Sequence, residues 1–128
     1  MTGTDRPLRV MIVEDEGVIS LSLKEILEAW GYGVCSIASS AEDAVGIAEK
    51  EAPDLVLMDV KIRGKQDGIE TARIMRERFG TPSIFMSGYM DEGIIGEMQK
   101  AKPAGIVSKP VDFDELQEIM EKFHREIK

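Results

Sequence analysis

Short, continuously apolar runs alternate along this chain with apolar stripes at helical spacing, and that alternation admits few folds. Strands are predicted at Leu8–Val13, Tyr32–Ile37, Asp54–Met58, Ser83–Met86 and Ala104–Val107. Val56-Leu57-Met58 and Ile84-Phe85-Met86 carry no polar residue, as strands buried on both faces do. The first helical stripe, Ile19, Leu23, Ile26, Leu27 and Trp30, stops at Gly31 and Gly33. A second helix begins at Ser39-Ser40 and carries Ala44, Val45 and Ala48 until Pro53. The third starts near Gly68 and buries Ile69, Ala72, Met75 and Phe79 before Gly80. Asp91 to Met98 forms the fourth despite two glycines, each of which costs about 1 kcal/mol against alanine. The last opens with Asp112 and Glu115 at capping-box spacing and buries Leu116, Ile119, Met120, Phe123 and Ile127. Strand then helix, five times over, needs right-handed crossovers. The expected fold is therefore α/β: a doubly wound, five-stranded parallel sheet with helices on both faces.

Residues 1–7 are polar and expected to be a flexible segment, leaving 8–128 as one domain. With 43% hydrophobic and 31% charged residues, the 128-residue chain can bury a core of ordinary size. A net charge of −8 argues against direct binding to nucleic acid or to an anionic membrane. The apolar runs fall far short of the roughly 20 residues of a membrane helix, and no signal peptide is evident. Cys35 is the single cysteine, read as a buried small hydrophobe, and its lack of a partner fits a reducing, cytoplasmic setting. The eight methionines fall mostly at core positions. His124, near the end of the last helix, is read as a surface residue.

Charge gathers where three of the strands end. The first run leads into Glu14-Asp15-Glu16, the third into Asp59 and the fifth into Lys109-Pro110. In an open parallel sheet these residues share the carboxyl edge, where ligands bind. Clustered carboxylates stay ionised only if a cation joins them. Hard oxygen ligands beside one ammonium suggest a magnesium ion (Mg2+) together with a phosphoryl group. Taken singly, these residues are ordinary. Asp59 alone reads as a turn residue, Glu14-Asp15 as a helix N-terminal pair, and Ser87-Gly88 as a turn. Their conjunction at strand ends carries the signal.

Val13-Glu14-Asp15, Leu57-Met58-Asp59, Met86-Ser87-Gly88 and Ser108-Lys109-Pro110, in this order, resemble the receiver domain of two-component response regulators, the CheY-like phosphoacceptor module. The resemblance spans Leu8 to Ile127 and implies a flavodoxin-like (βα)5 sheet of strand order 2-1-3-4-5. It also implies that Asp59 is phosphorylated by a histidine kinase or a histidine phosphotransfer protein, and that Asp15, Asp59 and the Lys61 backbone carbonyl bind magnesium. Glu14 would act mostly through water. By the same resemblance Lys109 pairs with the phosphoryl group across a cis Lys109–Pro110 bond, and the Ser87 hydroxyl turns toward it. Such a module signals through an as yet unspecified protein target, with a possible dimer through the helix 4–strand 5–helix 5 face. It is a phosphoacceptor and not an enzyme acting on a separate substrate.

Three positions depart from the family pattern. The loop after Asp59 is one residue longer, carries Gly64 where proline is usual, and adds Arg63 and Lys65. Ile106 occupies the place of the aromatic switch residue, and Tyr89 stands two residues beyond Ser87. A flavodoxin-type cofactor protein would need a phosphate-cradling loop where Glu14-Asp15-Glu16 repels anions. A haloacid-dehalogenase-type phosphatase would need an acid at Lys61. The remaining alternatives are a receiver-like interaction domain working without phosphorylation, and a receiver fragment of a hybrid kinase or larger regulator. The sequence as it stands ends with the last helix, leaving no room in it for an output domain.

Overall fold

The computed structural model describes residues 6–62, 64, 67–88 and 90–127. In chain order the elements are β1 (Arg9–Val13), α1 (Gly17–Ala29), β2 (Gly33–Ala38), α2 (Ala41–Glu51) and β3 (Leu55–Asp59). There follow α3 (Gly68–Phe79), β4 (Ser83–Ser87), α4 (Glu92–Lys100), β5 (Gly105–Ser108) and α5 (Phe113–Glu126). All strand pairs are parallel, in the order β2-β1-β3-β4-β5. Each strand ends one residue later than predicted, except β1. Thus Asp59 and Ser87 belong to the ladder itself, where Asp59 is level with Met86 and Ser87 with Ser108. Among the described residues no helix is long and apolar enough to cross a membrane.

Alternation along the strands sends side chains to two separate cores. Val10 and Ile12 of β1, Leu55 and Leu57 of β3, and Ile84 and Met86 of β4 pack under α1 and α5 against Leu23, Leu27, Leu116 and Met120. Met11, Val13, Val56, Met58 and Phe85 face the other way, onto α2, α3 and α4 through Ala44, Ala48, Ala72, Met75 and Met98. β3 and β4 are buried throughout, as their unbroken apolar runs require. Met11, Met58, Met75, Met86, Met98 and Met120 are all core residues.

The helix starts follow local chemistry. Ser40, Asp67, Asp91 and Asp112 each accept a backbone N–H from the first turn of the helix they precede. Asp112 caps Glu115 as the spacing suggested, at 3.2 Å. Gly31, at φ +94°, turns the chain out of α1.

Some burial expectations need correction. Cys35 is half-buried, because β2 is an edge strand covered on fewer sides. His124 is half-buried too, its ring edge-on to Tyr32 with centroids 6.0 Å apart. Ile127 caps α5 and is exposed, since the helix there has run past the sheet. Arg6 and Pro7 are the described members of the N-terminal segment. The Arg6 guanidinium meets Asp54 through two bonds of 2.9 Å, and Asp54 also accepts the Arg9 N–H. Burial opposes the Asp54 charge, but these donors outweigh it and hold the carboxyl below its usual range.

One contact ties the fold to the site. Gly68 opens α3 directly over β3, and its N–H donates to the Val60 carbonyl at 2.8 Å. A Cβ at Gly68 would lie 2.0 Å from the Asp59 carbonyl oxygen, so the backbone must move if any side chain is placed there. Gly46, inside α2, has nothing within 4 Å of its would-be Cβ. Gly68→Ala should therefore destabilise by about 1–3 kcal/mol, while Gly46→Ala should stabilise by about 0.5–1 kcal/mol. Urea unfolding of both variants checks the pair; equal effects would mean that the close approach is relaxed without cost.

Candidate functional site

β1, β3 and β5 deliver their last side chains to one place because a parallel ladder aligns strand ends. Glu14 follows β1, and its N–H is held by the Ala38 carbonyl at 3.0 Å. Asp59 ends β3, with the next residue, Val60, bonded to Met86. Lys109 follows β5, its N–H donating to the Ser87 carbonyl at 2.8 Å. The Lys109–Pro110 bond is cis, as the family resemblance suggested.

The charged groups form a tight set. Lys109 Nζ lies 3.1 Å from Asp59 Oδ2 and 3.2 Å from Glu14 Oε1. Glu14 and Asp59 are buried, while Asp15 is half-buried. Carboxylate oxygens of Glu14, Asp15 and Asp59 come within 4.8 Å of one another. The Asp15 N–H donates to Glu14 Oε2 at 3.1 Å, and the Lys61 N–H to Asp59 Oδ1 at 3.3 Å. A cavity of about 230 Å³ opens above, lined by Asp15, Glu16, Asp59, Lys61, Ser87 and Lys109 among others. Hard carboxylate oxygens at this separation suit a small divalent cation such as magnesium.

Burial, then the neighbouring Asp59 charge, pushes the Glu14 carboxyl up to about 7. Burial also works against the Lys109 ammonium, but Asp59 and Glu14 together outweigh it and raise its pKa. Lys109 thus stays protonated, while burial favours the neutral form of Glu14.

The residues expected from the sequence are all brought together: Asp59, Lys109, Asp15, Glu14, Ser87 and the Lys61 backbone. Their placement adds what spacing did not carry. Glu14 is the most enclosed of the acids and lies behind the cavity, whereas Glu16 lines it. Both follow from how α1 leaves β1, which no local pattern encodes. Gly64 sits at φ +125°, where a proline locked near −65° does not fit. A Cβ there would be 2.6 Å from Glu42 Oε2 and 3.0 Å from Ala41 Cβ, so the lengthened loop rests on the start of α2. Ile106 packs on the α4 side of the sheet, half-buried. Arg63, Lys65 and Tyr89 lie outside the described residues.

Comparison with known proteins agrees with this geometry. The family model of the response regulator receiver domain matches residues 10–121. The transcriptional regulatory protein PdtaR of Mycobacterium tuberculosis is 32% identical over 110 residues. That match covers 86% of this chain but 53% of PdtaR, so the chain spans about half the length of that relative. Sporulation initiation phosphotransferase F of Bacillus subtilis is 33% identical over 118 residues, covering 90% of this chain and 92% of its own. Among solved structures, the signal receiver domain of a modulated diguanylate cyclase from Desulfovibrio desulfuricans G20 aligns with a TM-score of 0.84 and 31% identity. It covers 92% of this chain and 94% of that one.

The raised Glu14 pKa gives a pH signature without metal. A carboxyl that holds its proton more tightly when folded stabilises the fold below its unfolded value of 4.5. That contribution is lost as pH rises through the folded value, about 7. Metal-free protein should therefore lose on the order of 3 kcal/mol between these limits. Glu14→Gln should flatten that slope in urea melts taken across the range. A wild-type slope that persists in the variant would assign the proton elsewhere.

Proposed function

The chain belongs to the response regulator receiver domain family, and from that premise we propose that Asp59 is its phosphoacceptor. The observation that carries the proposal is the Asp59 carboxylate at the end of a fully buried strand, paired with Lys109 at 3.1 Å and opening on a cavity beside Asp15. An Asp59 oxygen attacks the phosphorus of a phosphohistidine; the P–N bond breaks and its electron pair returns to the imidazole. The product is an acyl phosphate. Lys109 is in place to balance the oxygens that arrive, and the Ser87 hydroxyl at the end of β4 donates to one of them. Asp15, Asp59 and the Lys61 carbonyl would hold magnesium, with Glu14 acting through water. When bound, the ion screens two approaching anions and holds the transferring oxygens in line.

The donor is a histidine kinase or a histidine phosphotransfer protein. Three exposed hydrophobic side chains lie at this end of the molecule: Val18 and Leu21 in the first turns of α1, and Phe113 opening α5. They lie near the starts of α1 and α5, at the same edge of the sheet as Asp59, and suit the protein that brings the phosphohistidine. As a receiver the chain is a phosphoacceptor, and its output is a change in protein contacts.

Mass spectrometry after acetyl phosphate should find one magnesium-dependent phosphoryl group on the wild type and none on Asp59→Asn. Undiminished labelling of that variant would sink the assignment. Magnesium should also raise the melting temperature by mass action, and Asp15→Asn should remove most of the rise.

The signal leaves through α4 and β5. α4 carries Gly93 and Gly96 and buries only Met98 among its residues. A loosely held helix is readily biased by a neighbouring ligand. Ile106 packs in the same core as Met98 and Ile94, and so couples β5 to that helix. Phosphorylation that draws Ser87 inward shifts α4 with β5 and alters a partner or dimer surface on the α4–β5–α5 face. Hydrogen exchange with and without beryllofluoride should change chiefly between Ser87 and Ile106. Changes confined to α1 and α2 would place the output elsewhere.

A further inference from the structure

The amino edge of the sheet, opposite Asp59, carries a second hollow. It occupies about 810 Å³, against about 230 Å³ above Asp59. Its walls come from the ends of α3 and α5 and from the loops that lead into β3, β4 and β5. Phe79, Ile119 and Phe123 supply much of the apolar lining. Three cations, Arg76, Lys102 and Lys122, share the same rim.

The charges there do not cancel. Of the two acids lining the hollow, Asp54 is already taken by Arg6 and by the Arg9 N–H. Glu126 lies 4.0 Å from Lys122, with both side chains exposed. Among the described residues, neither Arg76 nor Lys102 forms an ion pair. Helix ends account for part of this, since a cation near the last turn of α3 or α5 complements the macrodipole. Lys102, one residue past the α4 C-cap Ala101 and with its N–H on the Gln99 carbonyl, is placed in the same way, yet a helix end offsets only about half of each full charge. Lys102 holds φ +52°, the left-handed conformation that commonly ends a helix, and lines this hollow. Three cations around one hollow with partly aromatic walls run against a chain of net charge −8.

We propose that this hollow binds a small organic anion with an aromatic or hydrocarbon body. The volume lies within the roughly 300–1,000 Å³ of small-molecule sites. Phe79, Ile119 and Phe123 cover the body, and Arg76 and Lys102 hold the acid group by charge-assisted hydrogen bonds. The site is separate from Asp59 by the length of the sheet. It reaches the phosphoacceptor strand only through the loop that enters β3.

The test uses the intact chain with 8-anilinonaphthalene-1-sulfonate, 1-naphthol and inorganic phosphate as probes. The sulfonate should bind saturably, with amide NMR shifts concentrated at Phe79, Lys102 and Phe123. Arg76→Gln combined with Lys102→Asn, an exchange that tolerates positive φ, should weaken it about tenfold. Phosphate and 1-naphthol should each bind far more weakly, the one lacking a body and the other a charge. Beryllofluoride should perturb the Asp59 region equally in wild type and variant, which shows that the variant is folded and keeps this test independent of the receiver function. Absence of saturable binding, undiminished affinity in the double variant, equal binding of 1-naphthol or of phosphate, or shifts centred on Asp59 would each overturn the proposal.

Discussion

Lys109 stands between Glu14 and Asp59, about equally close to both, and this bridge is what allows two buried carboxylates to end neighbouring strands. Without an ammonium between them, at least one would have to take up a proton or pull the strand ends toward water. The bridge does not neutralise the cluster. Asp15 adds a third acid within 4.8 Å, while burial and the Asp59 charge raise the Glu14 pKa. A site poised in this way favours a divalent cation, which rebalances it.

The backbone geometry around Asp59 is equally constrained. Its carbonyl is overlaid by Gly68, so α3 begins as close to β3 as the chain allows. The loop between them supplies the Lys61 N–H to the Asp59 carboxylate and then leans on the start of α2 at Gly64. Loop length costs little when the two ends stay anchored, and here Val60 and Gly68 are bonded to each other.

The two edges of the sheet differ in kind. At the carboxyl edge, acids gather around one lysine, near the starts of α1 and α5 where Val18, Leu21 and Phe113 are exposed. At the amino edge, aromatic residues form the walls and cations the rim. Parallel strands produce this segregation, because every strand enters at one edge and leaves at the other. The helices sort likewise, with α1 and α5 over one core and α2, α3 and α4 over the other. Ile106 belongs to the second core, together with Met98 and Ile94 of α4.

The order of elements, the parallel sheet and the residues of the carboxyl edge were legible in the linear chain. Hydrophobic period separates strands from helices, and strand-end position is inherited by any residue that follows an apolar run. Helix starts at Ser40 and Asp112 were legible as well, since a cap is a local bond. What required the folded molecule was everything set by non-local packing. Burial of Glu14 behind Asp15, the half-exposure of Cys35 on an edge strand, and the Tyr32–His124 contact all depend on which elements become neighbours. So does the pKa of Glu14, which is fixed by dehydration and by charges 45 and 95 residues away in the sequence. Local sequence carries conformational preference and polarity. Electrostatic environment belongs to the packed structure, because it depends on distances in space that the spacing of residues along the chain does not contain.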